Sequence, residues 1–444
     1  MNYIPNTDED RKIMLKELGL SSIDELFKII PHSLRCKDLD IAQGKSEIEL
    51  RKYFKNLTKK NSSELAYFMG GGFYDHFIPA TLDEIVGRAE FYTPYTPYQP
   101  EISQGTLQAM FEFQTSICKL TGMEVANASL YDGGTALYEA MTMAIRITGR
   151  KKVIVCAGVN LIYKTMLKSY TKNLFLNMLE IPVSEEGITS RANLKKELNE
   201  EVACVILQNP NFFGCVDDFS DITELAHKYG IIVISSVYPI SLGMLKTPAE
   251  MNIDIVTGEG QSLGIPLSFG GPYLGFMATI MKYVRKMPGR IVGETNDKNG
   301  KKGYVLTLQA REQHIRRENA TSNICSNEAW CALRALVYMS LLGKEGIKEV
   351  ANLCYQKANY LLDRLLQIPN VERKFSAPIF NEFVLKLPKK SSEVINDLIE
   401  KGFVCGFPLE RYFKDMDHCI LIAVTEKRTK EDIGMLAEAL EAAL

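Results

Sequence analysis

The sequence predicts an α/β protein: a mostly parallel sheet covered on both faces by helices, followed by a smaller α+β domain. Three observations carry this. From Lys152 onward, apolar runs of strand length (VIVCAGV, NLFLNMLEIPV, ACVILQNP, IIVISSVYP and DIVTGEG) alternate with amphipathic helical stretches. The last of these runs opens into a loop of small residues within NIDIVTGEGQSLGIPLSFGGP, Asn252 to Pro272. Beyond residue 325 the pattern changes to long helices and then short strands.

The glycine-dense loop organises the reading. Glycine has no Cβ, so a strand ending in such a loop lets backbone come close to a ligand or to another backbone. In a parallel sheet the ligand crevice lies at that end of the strands. Past the strand, the loop carries no lysine, histidine or cysteine, and one carboxylate, Glu259.

Residues 1–60 read as an amphipathic helical arm. Thr7 with Asp10, and Ser22 with Glu25, make capping-box-like starts, closed by Gly19 and Pro31. The arm is too small for a core of its own and is expected to pack on the main body or on another chain. The main α/β domain is expected over 61–325. It begins with an irregular segment, MGGGFYDHFIPA and then FYTPYTPYQPEISQG, and long irregular segments in compact proteins tend to be functional. Pro94, Pro97 and Pro100 hold the chain extended, and Tyr92, Tyr95 and Tyr98 recur along it. Two readings stay open: a rigid surface strap, or a wall offering phenol groups to a site.

A helix over Gly105 to Gly122 should bury Leu107, Met110, Phe111 and Cys118 on one face. Asp132-Gly133-Gly134-Thr135 opens the next helix, with bare amides at its positive end. This is either an anion site or a tight turn that needs glycine. SDITELAHKYG reads as a helix capped by Ser220, burying Ile222, Leu225, Ala226 and Tyr229. GFMAT adds one more strand. Residues 285–325 read as a polar connection. Its run AREQHIRREN is either a solvated face or a grip for a carboxylate or phosphate. In the C-terminal domain, 326–444, two long helices precede the strands FNEFVLKLP, FVCGFP and CILIAVT and a closing helix from Thr429.

Composition narrows the function. A net charge of −2 over 444 residues gives no electrostatic case for nucleic acid or membrane binding. The ten cysteines form no CxxC pair and the five histidines show no metal spacing, so no metal is expected. A polar N-terminus and scattered free thiols suggest a cytoplasmic protein. No Walker loop or Rossmann fingerprint occurs.

Longer stretches say more. The order of elements is similar to that of fold-type I pyridoxal-phosphate enzymes: a glycine-opened helix, a large-domain sheet, an NPN strand end at Gln208 to Asn211, and a small C-terminal domain. YTPYQPEISQG, NPNFFGC, GEGQSLGIPLSFGGPYLGFMA, MPGRIVGET and LQAREQHIRRENATSNICSN resemble the glycine decarboxylase P-protein family of the glycine cleavage system, in its split alpha-subunit form. The likeness covers nearly the whole chain.

The resemblance implies decarboxylation of glycine with pyridoxal phosphate, release of CO2, and transfer of the aminomethyl group to the lipoyl arm of H-protein. It implies a beta subunit as partner, in an α2β2 assembly. The family's catalytic subunit carries a Schiff-base lysine where this chain has Gln261 or Ser262, neither able to form an imine. Ser235 and Ser236 stand where an aspartate would meet the pyridine nitrogen. The cofactor is therefore expected on the beta subunit, none covalently bound here, with no catalytic residue on this chain alone. Tyr95, Tyr98, Gln99, Glu101 and Gln104 become candidates for an active-site wall, and Gly133, Gly134 and Thr135 for a vestigial phosphate loop. His314, Arg316 and Arg317 become candidates for an interface or for docking H-protein. Two rival expectations are a self-sufficient pyridoxal enzyme using Lys246 or Lys282, and a scaffold without catalytic function.

Overall fold

The computed structural model describes residues 6–36, 39–62, 64–93, 96–268, 270–322, 324 and 326–444. Two compact units make up the chain, Met1–Ser63 and Glu64–Leu444.

In the first unit, α1 (Asp8–Glu17) is capped by Thr7, whose side chain and Asp10 satisfy each other's backbone amides. Ser46 and Glu49 do the same for α2 (Glu47–Thr58). Neither helix buries a residue. The stretch after Ser22 is a short 3-10 helix, Ile23–Phe27, and Ser22 makes no side-chain cap. Glu25 bonds Ser21 instead, its Oε1 accepting that backbone amide at 3.1 Å.

The second unit holds the expected alternation. In chain order it contains β1 (Ala66–Tyr67), α3 (Ala80–Val86), α4 (Gln104–Thr121), β2 (Val125–Ala126), α5 (Gly133–Thr148), β3 (Lys152–Cys156), α6 (Leu161–Thr171) and β4 (Asn177–Ile181). Then come α7 (Arg191–Glu197), β5 (Val202–Asn209), α8 (Ser220–His227), β6 (Ile232–Val237), β7 (Ile255–Glu259) and β8 (Gly275–Thr279). The sheet runs β2-β8-β7-β6-β5-β3-β4, and only β8 is antiparallel to its neighbours. Ile206 pairs with Ile234, and Val237 with Gly258.

Successive residues of these strands feed opposite faces, and both faces are buried. Ile154, Val205, Val233 and Val256 join one apolar cluster with Phe113 and Tyr338. Val153, Ile206, Ile234 and Ile255 join another with Leu137 and Met141 from α5. That double burial is why the strands read as continuous apolar runs.

Several local expectations change. The buried stripe of α4 is Leu107, Met110, Phe113, Gln114 and Ile117, while Phe111 and Cys118 are only half-buried. In α8, Ser220 is the first helical residue rather than the cap, the cap position is Phe219, and the Asp218 carboxylate accepts the Ser220 amide at 2.9 Å. Thr223 is buried there, and Tyr229 is exposed. Within the polar connection 285–325, β9 (Ile291–Asn296) and β10 (Lys302–Thr307) form an antiparallel hairpin. Val292, Tyr304 and Leu306 pack on Leu107 and Met110 of α4, an alternation too short to stand out among the charges. NDKNGKKG is its turn, where Asp297 Oδ1 accepts the amides of Asn299 and Lys301.

After a one-turn α9 (Gln313–Arg316), α10 spans Ala329–Leu365 as two helical segments broken at Gly343, whose φ is 61°. Its first segment joins the large core through Cys331 to Met339; its second reaches a smaller core through Ala358, Leu361 and Leu365. That core also takes β12 (Glu382–Lys386) and β15 (Cys419–Ala423) from a four-stranded antiparallel sheet, ordered β11-β12-β15-β14. The remaining elements are β11 (Glu372–Arg373), α11 (Ser391–Glu400), β13 (Phe403–Val404), β14 (Phe407–Pro408) and α12 (Lys430–Glu441). FVCGFP is thus two short strands, and β13 pairs with β1. Among the described residues no helix is long and apolar enough to cross a membrane.

Candidate active-site cleft

The carboxyl ends of β3, β5, β6 and β7 converge on one small cavity, lined among others by Asn160, Gln208, Ser236 and Glu259. Tyr74, Tyr163 and Tyr238 close it. Glu259, the last residue of β7, is the centre of its bonding. Oε2 accepts the Gly133 amide at 2.9 Å, and Oε1 accepts the amides of Gln261 and Leu274, each at 3.0 Å. Burial pushes this carboxyl up to about 8, against the pull of those amides.

The chain itself engages the Gly133 and Thr135 amides at the start of α5. Asp132 caps it, accepting the Thr135 amide at 2.8 Å and the Thr135 hydroxyl at 2.9 Å. Gly133 is glycine for lack of room: a Cβ there would lie 2.4 Å from the Tyr163 hydroxyl. Gly134 is equally confined, by the Met166 sulfur. The helix-terminal dipole is therefore satisfied by protein carboxylates.

Gln261 is buried and acts as a fastener. Its Nε2 donates to the carbonyls of Tyr74 and Ile265 at 3.0 and 2.8 Å, and its Oε1 accepts the Tyr74 amide at 2.9 Å. Ser262 is buried, with no hydrogen-bond partner for its hydroxyl among the described residues, and the same holds for Ser235. Tyr74 donates to Glu382 Oε2 at 2.9 Å, and the Gly71 amide donates to Oε1 at 2.6 Å. Burial lifts Glu382 to about 7. The GGGFYDH segment is thereby tied at once to the β7 loop and to β12.

What remains open is a cavity of about 30 Å³. Small-molecule sites start at about 300 Å³. Pyridoxal phosphate does not fit this cavity, and its expected phosphate position holds Glu259. No lysine lines it. Lys246 pairs with Asp218 at 3.2 Å on the surface, and Lys282 lies beyond β8, at the opposite end of the sheet, near His227 and Asp254.

The strap is anchored at chosen points. Tyr95 lies outside the described residues. The Tyr98 hydroxyl accepts from Arg290 at 2.9 Å, and its ring meets the His314 ring edge-on at 5.2 Å. Gln99 and Glu101 are exposed. Gln104 starts α4 and clasps the hairpin: Oε1 accepts the Tyr304 amide at 2.9 Å, and Nε2 donates to Tyr304 O and Pro100 O. Arg316 and Arg317 are exposed, Arg316 donating to the Ala310 carbonyl at 3.0 Å. The fold thus brings Tyr98 and His314 together.

Sequence reasoning missed Arg290. It is buried and joins Tyr98 to Asn327, to which it donates at 2.9 Å, and Asn327 donates on to Ser129. It also missed Glu382 and the tyrosines that fill the cleft. Only Glu259 left a signal, as the single carboxylate in a loop of small residues.

A three-layer unit with a largely parallel seven-stranded sheet, its cleft at the strands' carboxyl ends, and a small antiparallel sheet beyond it defines the fold-type I pyridoxal-phosphate class. Solved structures share that fold at low identity: a NifS-like protein (TM-score 0.64, 13% identical, 85% of this chain and 98% of that one) is one. A Lactobacillus brevis glutamate decarboxylase (TM-score 0.68, 12% identical, 92% and 95% covered) is another.

Within that class the chain belongs to the glycine cleavage system P-protein family, whose model matches residues 1–440. A crystal structure of glycine decarboxylase (P-protein) in inhibitor-bound form is 41% identical, covers 100% of both chains and has a TM-score of 0.92. Among curated relatives named "Probable glycine dehydrogenase (decarboxylating) subunit 1", that of Geotalea daltonii is 54% identical over 100% of both chains. That of Maridesulfovibrio salexigens is 49% identical over 99% of each.

Proposed function

We propose that this chain is the alpha subunit of a two-subunit glycine dehydrogenase (decarboxylating). It would work in an α2β2 complex whose beta subunit holds pyridoxal phosphate. The complex would decarboxylate glycine, release CO2 and pass the aminomethyl group to the lipoyl arm of H-protein. The observation that carries this reading is Glu259 seated on the Gly133 amide in a narrow cleft that no lysine lines. Full-length similarity to relatives named subunit 1 supports it.

The chain's contribution would be structural. Tyr98, Gln99 and Glu101 present polar groups from a strap pinned by Arg290 and Gln104, and would form a wall of the partner's site, together with Tyr95. His314, Arg316 and Arg317 would serve the subunit interface or dock H-protein. The first unit, with Ile29, Leu34, Ile48 and Phe54 exposed, would cover its apolar side chains against the beta subunit.

The test is reconstitution with the beta subunit, followed by glycine–CO2 exchange of each chain alone and together. Activity is expected only in the mixture. Tyr98→Phe and Glu101→Gln are expected to lower exchange at least about tenfold with assembly intact, the loss of about 1.4 kcal/mol of interaction. Exchange by this chain alone, or pyridoxal phosphate covalently held by one of its lysines, would refute the division of labour. Undiminished exchange in both variants would remove the wall.

A further inference from the structure

A buried cluster of unlike metal-ligating side chains lies beside the cleft. His76 comes from the segment before α3, Cys354 from the second segment of α10, and Glu426 from the loop after β15. Their ligand atoms all lie within 4.8 Å of one another. Glu426 is fixed first: its Oε1 accepts the Phe77 amide at 2.7 Å, and Lys357 donates to its carbonyl. Its Oε2 then meets both other residues, His76 Nδ1 at 2.6 Å and the Cys354 thiol at 3.5 Å. The other ring nitrogen of His76 faces the Tyr238 hydroxyl.

A carboxylate oxygen shared by an imidazole and a thiol is a place where a cation can replace protons. Nitrogen, sulfur and oxygen together are a donor set suited to zinc. At ordinary bond lengths a tetrahedral zinc ion holds its sulfur and oxygen ligands about 3.5 Å apart, and its nitrogen and oxygen ligands about 3.3 Å apart. The Sγ–Oε2 separation is already 3.5 Å, and Nδ1–Oε2 has to open from 2.6 Å. Charge balances as well: one thiolate and one carboxylate neutralise a divalent ion in a buried place, where a net charge would be costly. Tyr238 supplies the outer hydrogen bond that metal-bound imidazoles use to fix their tautomer.

We propose that His76, Cys354 and Glu426 form a zinc-binding site joining the GGGFYDH segment to α10 and the loop after β15. The ion bonds Cys354 Sγ, Glu426 Oε2 and His76 Nδ1, leaving the fourth tetrahedral position to water. The thiol proton leaves to solvent, and the ion displaces the proton held between His76 Nδ1 and Glu426 Oε2 (to Nε2 from a neutral ring, to solvent from a charged one). The bound imidazole carries its one proton on Nε2, and no electrons are exchanged.

The experiment titrates the full chain, stripped with a chelator, with Co²⁺ as probe and Zn²⁺ as competitor. We expect one equivalent of cobalt with a thiolate-to-cobalt charge-transfer absorbance that zinc displaces. The absorbance should disappear in Cys354→Ala, and affinity should fall about tenfold in Tyr238→Phe. No charge-transfer absorbance in the unmodified chain, or the same absorbance in Cys354→Ala, would overturn the site. Should Cys354→Ala fail to fold, the melting temperature of the unmodified chain decides. A rise with zinc that Glu426→Gln abolishes supports the site, and no rise overturns it.

Discussion

Glu259 Oε2 accepts the backbone amide of Gly133 at 2.9 Å, although 126 positions of chain separate the two residues. An acidic side chain thus occupies the helix end where an anionic ligand would otherwise sit. The contact also closes the sheet's crevice from within, since the same carboxylate orders the loop at Gln261 and Leu274.

Removing that carboxylate should be costly. Glu259→Ala leaves the buried amides of Gly133, Gln261 and Leu274 unpaired. At about 1–3 kcal/mol each, the expected loss is at least about 3 kcal/mol by urea unfolding. A loss below about 1 kcal/mol would mean that solvent replaces the carboxylate freely.

Stability should fall as pH rises through neutrality. In the folded chain burial holds Glu382 up at about 7 and Glu259 at about 8, against an ordinary 4.5. Between those values the unfolded chain has released its protons and the folded chain still holds them. The stabilisation is therefore full below about 4.5 and is lost as pH climbs through 7 to 8. Melting temperatures from pH 5 to 8 should show the decline, about 1.4 kcal/mol per pH unit for each such group up to its folded value, and Glu382→Gln should flatten part of it. A melting temperature that rises over this interval would contradict the assignment.

Gly214 should tolerate no side chain. Its φ is +81°, and a Cβ would lie 1.8 Å from the Glu382 carbonyl oxygen. The obstructing atom is backbone of β12, so Gly214→Ala is expected to cost about 3 kcal/mol or more and to reduce soluble yield sharply. Wild-type melting behaviour would show that the loop can move away.

Gln104 should matter to the hairpin more than to chemistry. Gln104→Ala removes the two bonds to the Tyr304 backbone, and about 1–3 kcal/mol is expected to go with them. Hydrogen exchange at the Tyr304 amide should quicken while the sheet core stays protected. Unchanged exchange there would place the hairpin's anchor elsewhere.

The sequence by itself determined what rests on short-range regularity. Uninterrupted apolar strands between amphipathic helices dictated a parallel sheet buried on both faces, because period and burial are set within each segment. Thr7 and Asp10 announced a helix start, and Asp132 and Gly133 another, because a cap bonds only the next few amides. Even the lone carboxylate at the end of β7 was visible as an oddity. Only the tertiary structure decided what that carboxylate does. Glu259 finds Gly133, Gln261 fastens Tyr74, and Glu382 takes both Tyr74 and Gly71, through contacts between segments hundreds of positions apart in the last two cases or nearly so. No periodicity encodes such meetings. They follow from how irregular loops pack once the sheet has brought their ends together, where each buried polar group must find a partner or destabilise the fold.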